Sequence, residues 1–337
     1  MQRAEWQDKM QTVMQQKNMD IKDLHRAIGV DQRILEELLS KSSDRQVDED
    51  LLDNLFKLTQ ERDIPEDMLK FKQPVVLAIW THKGGTGKTT ISSNLSYELA
   101  RRGYNVLAID TDDQCDMTSV LYPKYITDPS NDFYDAFTMR DDFMDGSYIK
   151  QTDYENLDIV QGSAKSEGIE TSLSQADDEI LKKVFAKCLR TIMEQNYYDF
   201  IVIDMDKKAG KLNRALLCQC DYVISPLECA QFSSKSIINI ATQIENIQKL
   251  SNRPKWMGIL LNKVDNRRKA SIQANKEQIE MMYPGMKFET YIDTDNNFDN
   301  SQANFMPIGY YSKSSRGNKK LVSFVDEIVE KLRKDGR

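Results

Sequence analysis

Eight consecutive residues, Lys83-Gly84-Gly85-Thr86-Gly87-Lys88-Thr89-Thr90, combine the side chains and the flexible backbone needed to hold a polyphosphate. Gly84, Gly85 and Gly87 let the chain curl until several N–H groups face one anion. Lys88 is spaced to reach the β- and γ-phosphates, and the Thr89 hydroxyl to hold Mg²⁺. Such a loop works only if a strand delivers it and a helix leaves it. Before it runs Val75-Val76-Leu77-Ala78-Ile79-Trp80, apolar enough to be a buried strand. After it come Ile91, Leu95 and Leu99 at helical spacing, stopped by Gly103. The positive end of that helix adds to the anion site.

The general phosphate-loop pattern has a glycine where His82 stands, and here Lys83 opens the loop instead. In this the segment resembles the deviant phosphate loop of the ParA/MinD family of ATPases, KGGxGKTT, at every position. The resemblance extends over roughly residues 75–334. It implies that Lys83 crosses a dimer to the phosphates held by the partner. Asn105–Ile109 runs into Asp110-Thr111-Asp112-Asp113-Gln114, similar to the family's DxDxQ. There Asp112 is expected to orient the attacking water, a task suited to a carboxylate beside the γ-phosphate, with Asp110 nearer the metal. Phe200-Ile201-Val202-Ile203-Asp204 looks like a Walker B strand, whose Asp204 holds a magnesium-bound water. The chain then departs from the family, reading Met205-Asp206-Lys207-Lys208 in place of Asp-x-Pro-Pro. Asn262-Lys263-Val264-Asp265 matches the guanine-reading motif of GTPases, but Asp-x-x-Gly is missing after Asp204. The resemblance therefore assigns Asn262 to adenine. Ser225-Pro226-Leu227 followed by Phe232-Ser233 also resembles the family's strand–proline segment.

With 337 residues and a formal charge of −7, the chain has room for one large α/β domain and a small one, and no global signature of a nucleic-acid binder. The N-terminus lacks an apolar signal core, and no apolar run approaches the ~20 residues that span a bilayer, so a cytoplasmic protein is expected. Five scattered cysteines read as reduced thiols, and Cys218-Gln219-Cys220 as an apolar helix end rather than a metal clip. From Pro74 onward strands and helices alternate. Strands are expected at 75–80, 105–109, 157–160, 200–203, 222–225, 256–261 and 287–291; helices at 89–102, 180–195, 233–250, 270–282 and 320–333. Continuous apolar strands imply a doubly wound, mostly parallel sheet with helices on both faces. Ligands then bind beyond the strands' carboxyl ends. Residues 112–156 are polar, aromatic-rich and without clear periodicity, so switch-like loops are expected there, and 293–319 are polar and expected to be loop-rich.

Residues 1–72 read as a separate all-helical domain, set off by Ile64-Pro65 and Gln73-Pro74, with 73–337 as the ATPase domain. Asp20 caps a helix at 21–28, Gly29 turns the chain, and Asp31 caps a second helix at 32–40; a third spans 51–60. Leu24, Gly29, Val30, Leu35 and Leu38 fit a helix-turn-helix, which puts Gln32 and Arg33 towards operator DNA. Glu36 and Glu37 on the same helix would face phosphates badly, so a dimerisation bundle is the competing expectation.

Taken with the family, these features imply a plasmid-type partition ATPase using ATP and Mg²⁺. The ATP-bound homodimer binds DNA non-specifically on the nucleoid, and a ParB-like centromere-binding protein stimulates slow hydrolysis. Arg267, Arg268 and Lys269, and Lys313, Arg316, Lys319 and Lys320, are the basic clusters available for that DNA. A MinD-like membrane cycle and an ATP-switched transcription regulator are the alternatives. The last helix carries Asp326, Glu327 and Glu330 opposite its apolar face, which favours packing on the sheet over stable membrane association.

Overall fold

In the computed structural model the described residues are 1–28, 30, 32–40, 47–61, 69, 71–123, 131–231 and 233–337. They fall into two compact units, Met1–Lys70 and Phe71–Arg337. The first unit holds α1 (Arg3–Gln16), α2 (Ile21–Ile28), α3 (Gln32–Leu39) and α4 (Glu49–Glu61). Trp6, Met10, Leu24, Leu35, Leu38 and Leu52 bury one another at its centre. The Asp20 carboxylate accepts from the Asp23 N–H at 2.8 Å and caps α2. The last carbonyls of a helix have no partner within it, and α1 supplies donors for those of α3. Arg3 Nε donates to the Leu38 carbonyl at 3.2 Å and Gln7 Nε2 to the same oxygen at 2.7 Å. Gln32, expected to face DNA, is instead 3% exposed, and its amide donates to Glu36 Oε1 at 2.9 Å. Gly29, Asp31, Ile64-Pro65, Phe232 and the Arg33 side chain lie outside the described residues.

The second unit alternates strand and helix. Its elements run β1 (Val75–Ile79), α5 (Lys88–Arg101), β2 (Val106–Asp110), α6 (Asp116–Leu121), α7 (Phe133–Met139), β3 (Ile149–Gln151), β4 (Leu157–Val160), α8 (Glu167–Ser172), α9 (Asp178–Gln195) and β5 (Phe200–Asp204). They continue with α10 (Lys211–Leu217), β6 (Tyr222–Glu228), α11 (Ser234–Ser251), β7 (Lys255–Asn262), α12 (Lys269–Met282), α13 (Asn296–Ala303), α14 (Ile308–Tyr311) and α15 (Arg316–Lys334). The sheet order is β3-β4-β2-β5-β1-β6-β7, parallel except for β3. Every residue of β1, β2 and β5 is buried, which requires cover on both faces. Val76, Ala78, Leu107, Ile109, Ile201 and Ile203 share one core with Val184, Phe185 and Leu189 of α9. α5 packs along the sheet and meets α15. The apolar residues Leu321, Phe324, Val325, Ile328 and Leu332 of α15 are all fully buried within this unit.

Three expectations need correction. Lys287–Tyr291 is not a strand: it makes one isolated parallel bridge, Ile259↔Lys287, and its neighbours reach β7 only through single bonds such as Phe288 N to the Ile259 carbonyl at 3.0 Å. The aperiodic stretch 112–156 contains α6, α7 and the short antiparallel edge β3. The polar stretch 293–319 is largely helical, as α13, α14 and the start of α15.

β7 carries a register irregularity. Val223 pairs with Trp256 but Ile224 with Gly258, so Met257 is an extra residue. Gly258 takes φ +149, and a Cβ there would lie 2.7 Å from the Met286 carbonyl oxygen. This bulge sets where β7 ends, at Asn262. Gly258→Ala is expected to destabilise the second unit by about 2 kcal/mol or more, because both the backbone region and the space exclude a methyl. A urea midpoint equal to that of the native chain would contradict this account of the bulge.

Candidate functional site

The parallel register brings three strand ends together. Ile79 of β1 and Asp110 of β2 both align with Asp204 of β5. The loop 83–87 leaves β1 above these carboxylates and enters α5 at Lys88. Gly85 and Gly87 adopt φ +74 and +87, which side chains resist. Gly87 also has no room for one: an added Cβ would fall 2.2 Å from Asn262 Nδ2. That amide donates to the Thr86 carbonyl at 2.8 Å, so the end of β7 pins the loop. Asn262 is 5% exposed.

The charges beneath the loop are mostly buried. Asp204 has neither carboxylate oxygen hydrogen-bonded. The Thr89 and Ser92 hydroxyls stand near it, but Ser92 Oγ donates to the Lys88 and Thr89 carbonyls instead. Burial, then the charge of Asp110, pushes the Asp204 carboxyl up to about 8. Asp110 is differently placed. Its Oδ2 accepts from Thr118 N at 2.8 Å and Thr118 Oγ1 at 2.6 Å, and its Oδ1 from the Asp112 N–H at 3.3 Å. Burial still raises it to about 7. Asp112 is raised by burial, with Asp206 and Asp113 adding to the effect. Lys88, 8% exposed, is lowered by burial, while Asp204, Asp112 and Asp206 pull the other way.

A cavity of about 630 Å³ opens above these groups. Gly84, Gly85, Gly87, Lys88, Thr89, Thr90, Asp112 and Asn262 line it. Thr86, Asp110 and Asp204 lie behind the wall, buried. Lys83 is half-buried and is not among the described residues that line the cavity. Two parts of the wall escaped sequence reasoning. One is Asp206-Lys207-Lys208, visible only as a departure from a pattern. The other is Asp293–Asp295 with Phe298, Asp299 and Gln302, whose Nε2 donates to Thr90 Oγ1 at 3.3 Å. No periodicity marks that segment, and only its position after the last sheet contact could have pointed to it.

None of the residues of the two basic clusters lines the cavity, although Arg316 is bonded to its wall at Asp293. Arg267 holds Asp265 through Nε–Oδ1 at 2.9 Å and Nη2–Oδ2 at 2.8 Å, keeping that carboxyl at about 2. The carboxylate of Asn-Lys-x-Asp is thus turned to an arginine and does not line the cavity. Arg316 Nε pairs with Asp293 Oδ2 at 2.9 Å, and Lys320 Nζ sits 4.3 Å from the centre of the Tyr291 ring. Arg268, Lys269, Lys313 and Lys319 are exposed. Among the described residues, no helix is long and apolar enough to cross a membrane.

Residues 75–255 match the family model described as an AAA domain. Over 255 residues the chain is 30% identical to the sporulation initiation inhibitor protein Soj of Bacillus subtilis, covering 75% of this chain and 98% of Soj. It is 25% identical over 259 residues to the chromosome partitioning protein ParA of Caulobacter vibrioides, covering 77% of this chain and 95% of that one. Among solved structures, the ATP complex of a single-substitution variant of Cyanothece McdA superposes with a TM-score of 0.67 at 16% identity, over 76% of this chain and 96% of that one.

The two raised carboxyls fix a pH dependence. In the unfolded chain Asp204 titrates near its ordinary value of about 4; folded, it keeps its proton up to about 8. The folded state then binds more protons between those values, so stability falls as pH rises through that window. Without divalent cation, the melting temperature is expected to drop from about pH 5 to about pH 8, and Asp204→Asn to flatten the drop and melt higher at the alkaline end. An unaltered slope in Asp204→Asn is the result that would refute it.

Proposed function

The chain belongs to the ParA/MinD family of partition ATPases, and on that premise we propose that it hydrolyses ATP in a Mg²⁺-dependent cycle that moves DNA cargo, a plasmid foremost. The observation that carries this reading is Asp204: a carboxylate with both oxygens buried and unpartnered, at the foot of a glycine loop whose Lys88 is buried beside it. Such a group calls for a cation. Asp204 and the Thr89 hydroxyl would hold Mg²⁺, whereas Asp110 is engaged by Thr118 and acts by positioning. When bound, the metal neutralises charge on the β- and γ-phosphate oxygens.

The protein's own groups do the rest. Backbone N–H groups of 84–89 cradle the phosphates, and Lys88 neutralises the transferred group. Asp112, raised by its buried and acidic surroundings, orients the attacking water. Lys83 reaches the nucleotide of a second copy, which fits a lysine that does not line its own cavity. The engagement of Asp265 by Arg267 supports adenine over guanine as the base. The closed homodimer binds DNA non-specifically on the nucleoid through Arg268, Lys269, Lys313 and Lys319, and a ParB-like centromere-binding protein releases it by stimulating hydrolysis. Arg267, Arg316 and Lys320 are already engaged and contribute less. In the N-terminal unit, buried Gln32 and exposed Glu36 and Glu37 favour dimerisation over operator reading. The inward-turned face of α15 argues against a membrane cycle.

The test is retention on random-sequence DNA with ATP, ADP or no nucleotide. Native chain and Asp112→Ala are expected to be retained only with ATP, and Lys83→Ala not at all. Hydrolysis by Asp112→Ala is expected to fall by about 10²-fold. Retention indifferent to nucleotide would refute the cycle.

A further inference from the structure

After Asp204 the chain departs from the family pattern and places two lysines, Lys207 and Lys208, which meet different fates. Lys208 Nζ lies 3.3 Å from Asp113 Oδ2, 3.3 Å from Asp206 Oδ2 and 4.0 Å from Glu167 Oε1, so its charge is already met. Lys207 has no ion pair or side-chain hydrogen bond among the described residues; only its backbone N–H is tied, to Asp206 Oδ1 at 2.5 Å. Its side chain is laid across the phosphate loop. A Cβ on Gly84 would sit 3.5 Å from Lys207 Cδ, ordinary van der Waals contact. Lys207 lines the cavity with Gly84, Lys88 and Asp112, close enough for its charge to bear on Lys88.

Lys207 and Lys88 repel one another across the loop, an effect smaller than the pull of Asp204, Asp112 and Asp206 on Lys88, and an anion seated between the two lysines is attracted by both. Lys207 comes from the β5–α10 connection, whose next residue, Lys208, is bonded to Asp113. We propose that Lys207 is a phosphate ligand supplied by the same subunit, directed at the terminal phosphate of a nucleoside triphosphate. The site then has a cis cation at the position that Lys83 is expected to reach only from a second copy. This rests on the nucleotide reading above. It gives one subunit a preference for triphosphate over diphosphate before any dimer forms.

The experiment is equilibrium binding of a non-hydrolysable ATP analogue and of ADP, each with Mg²⁺, to the full chain, dilute enough to stay monomeric. Native, Lys207→Ala, Lys207→Arg and Lys207→Glu chains are compared. Lys207→Ala is expected to weaken the triphosphate analogue about fivefold and ADP less than about twofold. Lys207→Arg should restore the ratio, and Lys207→Glu should deepen the loss. A solvated lysine with no ligand role predicts the same triphosphate-to-diphosphate ratio in all four chains, and that result overturns the proposal. Equal weakening of both nucleotides, the mark of a distorted loop, overturns it as well. If the native chain binds neither nucleotide, the parent reading falls and this one with it.

Discussion

The site is governed by an imbalance of buried charge. Asp204 and Asp110 end adjacent strands in direct register, both out of water, and the buried cation that answers them is Lys88. Desolvation holds protons on the two acids and draws Lys88 towards neutrality. Asp110 finds further relief in the Thr118 N–H and hydroxyl; Asp204 finds none. The chain by itself therefore holds an unbalanced electrostatic arrangement at the place where three central strands stop. The sheet that enforces it must be rigid, and the fully buried strands packed under α5 and α9 provide that rigidity.

The loop above this cluster is held from two directions. From below, the fully buried strand β1 fixes where it begins, with Trp80 N donating to the Ile224 carbonyl at 3.0 Å. From the side, Asn262 holds the Thr86 carbonyl, and the bulge at Gly258 determines that β7 delivers Asn262 there. A backbone anion site depends on its N–H groups being oriented before the anion arrives. Distant irregularities such as a β-bulge are thus part of the binding chemistry.

The centre of this structure was legible in the sequence because burial on both faces leaves a plain mark. Strands such as 75–80 and 200–203 must be continuously apolar, and a carboxylate or glycine ending such a run stands out. Legibility faded where one face is wet or pairing is partial. Lys287–Tyr291 has strand-like residues but meets β7 at only one bridge, its backbone bonding to β7 around Ile259 and next only beyond the segment, at Ile292. The short edge β3 has too few residues to show a period. The cavity wall at 293–302 is polar because it faces the cavity, so the property that makes it useful also made it read as loop. Asn262 and Asp265 looked like one motif, yet the fold sends one to the loop and the other to Arg267.

The contact between Gly87 and Asn262 has a consequence for how this protein can vary. The amide of one occupies the space that a side chain on the other would need. A larger residue at 87 requires a shorter one at 262, and a shorter one at 262 leaves the Thr86 carbonyl without its donor. A side chain at 87 is not open alone, and the pair of changes loses the pin. Two positions far apart in the chain thus meet at one point: a side chain at 87 is excluded by Asn262 and by its own φ of +87, and a shorter residue at 262 gives up the pin.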